Sequence, residues 1–232
     1  MPRELPRSTP SRRSQRWMQF FANEQPEILN HAIRTSAGLD SNVTIDWRSP
    51  LVDDEFAEYY DQDFLDRLGI TPPKVPLREF WPASGPRWDG LAITSTGDVI
   101  LVEAKAHLAE FATDPCGAKS KKSIALIRKS LAEVQGFMEI SKRRSRPELW
   151  SNAFYQYANR IAHLYYLQKL NGIPTHLVFL DIVNDPDSGK NAVRSAAEWK
   201  SLVRLAETCL GISPRKPLMQ YVHHIHLDVA NL

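Results

Sequence analysis

The chain has 232 residues, 43% of them hydrophobic and 24% charged, with a formal net charge of +2. That length and balance exclude a disordered or fibrous chain and suit one globular domain with a sizeable core. A charge so close to zero is too small to argue for nucleic-acid binding by itself, so any such role has to come from local clustering. Cys116 and Cys209 are far apart and show no metal-ligand spacing, which points to a reduced, cytoplasmic setting. The basic N-terminus has no apolar run behind it, so neither a signal peptide nor a membrane span is expected.

Residues 1–14 read as a flexible basic arm, and residues 15–232 as a single domain. Arg3, Arg7, Arg12, Arg13 and Arg16 against Glu4 suit either a phosphate-backbone contact or a solvated tail. From Gln15 to Ala37 the apolar spacing predicts helix, broken or kinked at Pro26. Val43, Ile45 and Trp47 alternate as a short strand. Ser49-Pro50 predicts a helix start, with Asp53 and Asp54 in the first turn, a course to Leu68 and an end at Gly69. Leu77 to Trp81 reads as the first core strand.

The informative stretch is Trp88 to His107, WDGLAITSTGDVILVEAKAH. Leu91-Ala92-Ile93 and Val99-Ile100-Leu101-Val102 are near-continuous apolar runs, as in strands buried on both faces. Ser95-Thr96-Gly97 fits a three-residue hairpin loop with glycine in the left-handed position. Thr94 then faces Asp98, and the same register puts Asp89 across from Glu103. Glu103 and Lys105 are two apart, so they leave the same face of their strand. A two-residue turn would instead send Asp89 to the opposite face. Two buried carboxylates and an ammonium are costly unless they bind something, and hard oxygen donors suit Mg2+ or Mn2+.

Asp89, a gap of thirteen residues, then Glu103-Ala104-Lys105 on the second strand of a hairpin resembles the PD-(D/E)xK nuclease superfamily. Trp88 stands where that pattern has proline, with Pro86 close by. The resemblance implies a restriction-endonuclease-like three-layer α/β sandwich, its mixed central sheet flanked by helices, with the core over about residues 50–183. It further implies a metal-dependent nuclease: Asp89 and Glu103 as Mg2+ or Mn2+ ligands, Lys105 assisting water attack, and DNA as the first-choice partner. In that fold a helix before the first strand often supplies a further metal-binding glutamate, and Glu58 is the candidate. A solvated acidic face is the alternative. Many such nucleases pair, so a homodimer is a further expectation.

After Lys105, His107 shares its face if the strand continues and is a candidate substrate contact. Cys116 has no histidine–acid partner in view and reads as structural. Ile124, Ile127, Leu131, Val134 and Met138 predict an amphipathic helix. It is bracketed by Lys119, Lys121 and Lys122 before and by Lys142, Arg143, Arg144 and Arg146 after. A helix from about Asn152 to Leu170 is apolar over most of its circumference but carries one polar stripe of Asn152, Gln156, Asn159, Arg160 and His163. A polar stripe on a buried helix must face something polar, and the acid–lysine site is the natural partner. Some nucleases of the superfamily carry a glutamine on such a helix, which Gln156 matches; the tyrosine that follows it by four in certain relatives is Arg160 here. Gln156 is thus expected to orient substrate or water, and Arg160 and Asn159 to contact substrate.

His176 to Val183 reads as a buried strand, Trp199 to Gly211 as a helix, and Met219 to Val229 as a last strand. His224, His226 and Asp228 alternate onto one face there, either the wet side of an edge strand or a transition-metal site. The alternative to the nuclease is a catalytically silent nucleic-acid-binding or protein-interaction module on the same fold.

Overall fold

The apolar runs around Leu91 and Ile100 form the middle of a five-stranded sheet. The structure, a computed structural model, describes residues 3–4, 11–111, 115–141 and 146–232. Strands β2 (Ile45–Ser49), β4 (Gly90–Thr94), β5 (Val99–Lys105), β6 (Thr175–Val183) and β7 (Val222–Asp228) lie side by side in the order β2-β4-β5-β6-β7. The first three are antiparallel and the last three parallel, so β5 is the strand at which the sheet changes type. β1 (Arg3–Glu4) and β3 (Glu58–Tyr59) form a separate antiparallel pair.

Helices cover both faces. α1 (Arg13–Asn23) and α2 (Pro26–Ala37) pack Trp17, Phe21, Leu29 and Ile33 against the even-numbered side chains of β4 and β5, Ala92, Ile100, Val102 and Ala104. Pro26 is the first residue of α2, so the break falls where its missing N–H requires. On the other face, α3 (Asp61–Arg67), α4 (Leu77–Phe80), α5 (Lys121–Phe137), α6 (Tyr155–Tyr165) and α7 (Ala196–Leu210) share a core with Leu91, Val99, Leu101, Leu177, Phe179 and Val183. α5 and α6 lie in the long crossover from β5 to its parallel neighbour β6, and α7 in the one from β6 to β7. Among the described residues, no helix is long and apolar enough to cross a membrane.

Two predicted elements are different in the structure. The helix expected from Pro50 to Leu68 is a 3-10 turn at Val52–Asp54, the extended pair Glu58–Tyr59, and then α3. Glu55, Phe56 and Asp61 have φ of 55°, 57° and 56°, which no continuous α-helix allows. The Trp88 N–H donates to the Tyr59 carbonyl at 3.1 Å, so a backbone pairing distant in sequence overrides the local helical spacing. Leu77 to Trp81 is a helical turn, with Trp81 N–H closing on the Leu77 carbonyl at 2.7 Å. Leu77, Phe80 and Trp81 sit at i, i+3 and i+4, and all three are buried by that turn. Ile45–Ser49 supplies the outer strand instead.

The arm's Arg7 and the cluster Lys142, Arg143 and Arg144 lie outside the described residues.

Candidate active site

The hairpin between β4 and β5 has the three-residue loop expected. Thr94 N–H donates to the Asp98 carbonyl and Gly97 N–H to the Thr94 carbonyl, both at 2.9 Å, with Gly97 at φ 89°. Gly90 pairs with Val102 and Ile93 with Val99, and one further step of that register sets Asp89 opposite Glu103. The Asp89 carboxylate folds back onto the partner strand, where Oδ2 accepts the Ala104 N–H at 2.7 Å. Gly90 permits this bend to pack: a Cβ there would lie 2.8 Å from Met18 Cε of α1.

β5 is buried along its whole length, and Glu103 and Lys105 project from it towards α6. Glu103 is 2% exposed. Its Oε1 accepts from Lys105 Nζ in a short contact, and its Oε2 accepts from Arg160 Nε at 2.6 Å and Nη2 at 2.5 Å. Lys105 Nζ also donates to Gln156 Oε1 at 2.7 Å. Arg160 is fixed further by Asn159 Oδ1 and the Arg87 carbonyl, each at 2.8 Å, and its guanidinium lies 4.8 Å from the Trp88 ring centroid. The stripe on α6 thus meets the acid–lysine pair from above the sheet.

Electrostatics separate the two acids. Burial alone would push the Glu103 carboxyl up, but Arg160 and Lys105 outweigh it and hold the group below the usual carboxylate range. Asp89 goes the other way: burial first, then the Glu103 and Glu58 charges, push it well above that range, with Lys105 opposing. Glu58 reaches the site from strand β3 rather than from a helix, and Gln15 Nε2 of α1 donates to its Oε1 at 3.0 Å.

These groups open onto a cavity of about 680 Å³ whose lining includes Glu58, Asp89, Glu103, Lys105, Gln156, Asn159 and Arg160. His107 is not part of that lining. It follows the end of β5, 3.3 Å from Glu110 Oε1 and 3.3 Å from Arg13 Nη1. Lys119, Lys121, Lys122 and Arg146 also lie away from the cleft lining. His163, a turn beyond Asn159, is fully buried among Phe64, Phe80, Trp81 and Trp88, where burial lowers its pKa to about 3.

Three contributors escaped the sequence. Asp61 is buried and anchors the rim: it accepts Gly85 N–H at 2.9 Å, Ser84 N–H at 3.1 Å and Arg78 Nη2 at 2.7 Å. Tyr155 and Glu110 also line the cleft, the latter accepting Ala106 N–H at 2.7 Å. The Ser84-Gly85-Pro86 turn just ahead of Asp89 was the available signal for such a rim.

At the far edge of the sheet, His224 and His226 turn their Nδ1 atoms towards fully buried Asp181 Oδ2, at 2.9 and 3.4 Å. Asp228 is drawn off to Asn184 at 3.0 Å, so the alternating trio does not form one site. Cys116 and Cys209 are free thiols.

Among the described residues no three His, Cys, Asp or Glu side chains converge as a ready metal cage. Mg2+ needs none, because it binds through one or two carboxylates and keeps several waters. Burial and the neighbouring carboxylates of Glu103 and Glu58 disfavour ionised Asp89, with Lys105 opposing them, and a hard divalent ion would relieve that cost. The donor set therefore fits Mg2+ or Mn2+. Compared with known proteins, the chain matches no family model, no curated protein and no solved structure.

Proposed function

We propose that this chain is a metal-dependent phosphodiesterase acting on nucleic acid, with DNA as the first substrate to test, on a restriction-endonuclease-like fold. The observation that carries the reading is the convergence of Asp89, Glu103 and Lys105 from one hairpin, with Gln156 from α6, in a single cleft. Asp89 and Glu103 would hold the Mg2+ or Mn2+ ion, with Glu58 near enough to add charge. The ion would supply Lewis-acid polarisation of the phosphodiester and a lower pKa for bound water. Lys105, pinned between Glu103 and Gln156, presents its ammonium to the attacking water or to the charge that builds on phosphorus. Gln156 spends its carbonyl on Lys105 and so fixes where that ammonium points. Asn159 and the rim at Ser84–Arg87 border the path a sugar–phosphate strand would take.

One observation favours the silent-module reading. Glu103 is already neutralised by two cations, Lys105 and Arg160. The two are separated by incubating the protein with plasmid, linear duplex, single-stranded DNA and RNA in Mg2+ or Mn2+. Cleavage that disappears with EDTA and in Lys105→Ala supports the enzyme. Binding without turnover on all four substrates supports the module.

A further inference from the structure

Between α7 and β7, the outermost strand, lies a second cavity of about 390 Å³ that shares no lining residue with the cleft. Lys200, Val203, Arg204 and Glu207 line it at i, i+3, i+4 and i+7, one face of α7. Val222, His224 and His226 line it from alternate positions of β7. The acids here already have partners. Glu207 Oε1 accepts from the Tyr157 hydroxyl at 3.0 Å, and Oδ2 of fully buried Asp181 lies 2.9 Å from His224 Nδ1 and 3.4 Å from His226 Nδ1. Burial would raise the Asp181 carboxyl, but His224 and then His226 outweigh it and hold the group below the usual carboxylate range. Asp181 is therefore a carboxylate, which only accepts. The Tyr157 hydroxyl gives its one proton to Glu207, so towards His224 Nε2, 3.3 Å away, it too offers a lone pair. Both nitrogens of His224 face acceptors, an arrangement that suits the doubly protonated, cationic ring. His226 Nε2 and the exposed side chains of Lys200 and Arg204 have no hydrogen-bond or ion-pair partner among the described residues.

We propose that this cavity binds a small organic phosphate with an apolar body, separately from whatever the cleft binds. Lys200 and Arg204 offer charge-assisted donors one turn apart on α7, and His226 adds its Nε2 from the β7 wall. Val203, Pro214, Met219 and Val222 supply the apolar surface for the rest of the ligand. The volume is at the low end for ligand pockets, so it suits a small molecule and not a nucleic-acid strand. A neutral guest would leave the α7 cations without a counter-charge, and a cationic one would be repelled by them. A transition metal fits worse, because both nitrogens of His224 are engaged and His226 Nδ1 lies against Asp181.

The test titrates phenyl phosphate, a phosphate head on an apolar ring, into the full chain. Calorimetry gives the affinity, and the histidine Cε1–Hε1 NMR signals, assigned with His224→Gln and His226→Gln, give the place. Saturable shifts at His224 and His226, with exposed His31 of α2 unmoved, are the expected result. The double variant Lys200→Ala/Arg204→Ala should bind roughly tenfold more weakly or worse, the loss expected for charged hydrogen-bond donors. Both side chains are exposed and unpartnered among the described residues, so the fold does not depend on them. Inorganic phosphate, lacking the ring, should bind more weakly than phenyl phosphate, and phenol, lacking the charge, should leave the two signals in place. Absence of any shift at His224 and His226 in millimolar phenyl phosphate overturns the proposal. So does phenol or inorganic phosphate binding as tightly as phenyl phosphate, or a double variant of unchanged affinity. None of these readouts needs a metal ion or turnover, so they stand or fall apart from the nuclease reading.

Discussion

Replacing Asp89 with asparagine should make the protein more stable and, at the same time, unable to respond to divalent ions. Directly opposed side chains on neighbouring strands have Cβ atoms about 5 Å apart. Two unit charges at that distance, with an effective dielectric constant of 20, interact by about 3 kcal/mol. After burial, repulsion from Glu103 is the largest cost at Asp89 and repulsion from Glu58 the next, and attraction from Lys105 is smaller than either, so a net cost remains. Removing the charge should recover about 1–3 kcal/mol, or roughly 3–9 °C in melting temperature for a chain of this length. The side-chain carbonyl of the introduced asparagine can still accept the Ala104 N–H, so the bend before Gly90 has no reason to open. The sign follows from the raised carboxyl. The folded state binds the proton more tightly than the unfolded state, so wild-type stability falls as pH rises above 3.8 through the folded value. The advantage of Asp89→Asn should be largest at the alkaline end of the range and shrink as pH is lowered towards 4. The assay is thermal unfolding in EDTA across that range, repeated with Mg2+, which should raise the wild-type midpoint and leave the variant's unchanged. A variant less stable than wild type at pH 8 in EDTA would refute the argument that Asp89 is a strained charge.

Gln156→Leu leaves Lys105 Nζ without its second partner and should lower turnover by about 10²-fold, in line with the loss of a group that orients an acid–base or electrostatic residue. An unchanged kcat with a raised KM would place Gln156 on the substrate instead. Burial holds His163 to about 3 and His223 to about 4, both below 6.5. These imidazoles are buried neutral, so their contribution is complete above pH 6.5 and is lost as pH falls towards 3–4, on the order of 4 kcal/mol between pH 6.5 and 4. Urea midpoints at fixed temperature should drop accordingly; a flat profile from pH 7 to 4.5 contradicts it. Gly90→Ala forces Met18 aside in a closed core and should cost about 1–3 kcal/mol, and Met18→Ala in the same chain should return part of it. A neutral single variant would mean that α1 does not press on the hairpin as closely as 2.8 Å implies.

The hairpin was legible in the sequence because its determinants are local. Gly97 closes the loop, the apolar runs set the strands, and the period of two then fixes which side Asp89, Glu103 and Lys105 share. α6 was legible for a different reason, since a polar stripe on an otherwise apolar helix has to be answered by something buried. What failed was the stretch from Ser49 to Trp81. There, Phe56, Tyr59 and Phe64 mimic helical spacing, while the chain obeys a backbone pairing to Trp88 that lies 29 residues further on. Glu58 was placed near the site in the wrong element for that reason. Asp61 hid among a run of acids, and only its partners Ser84, Gly85 and Arg78 distinguish it from the solvated ones. Arg160 looked like a free cation because sequence shows charge and not what has already claimed it.

Gln156 and Tyr157 are consecutive on α6, yet one reaches the central strand of the sheet and the other its β7 edge. The first holds Lys105 on β5; the second donates to Glu207 of α7 at 3.0 Å and lies 3.3 Å from His224 of β7. A slide of the helix along its axis by a single residue's rise, about 1.5 Å, would break both grips together. Anything that tugs at the β7 margin is thereby felt by the ammonium of Lys105, which ties the alignment of the cleft to the seating of the last strand.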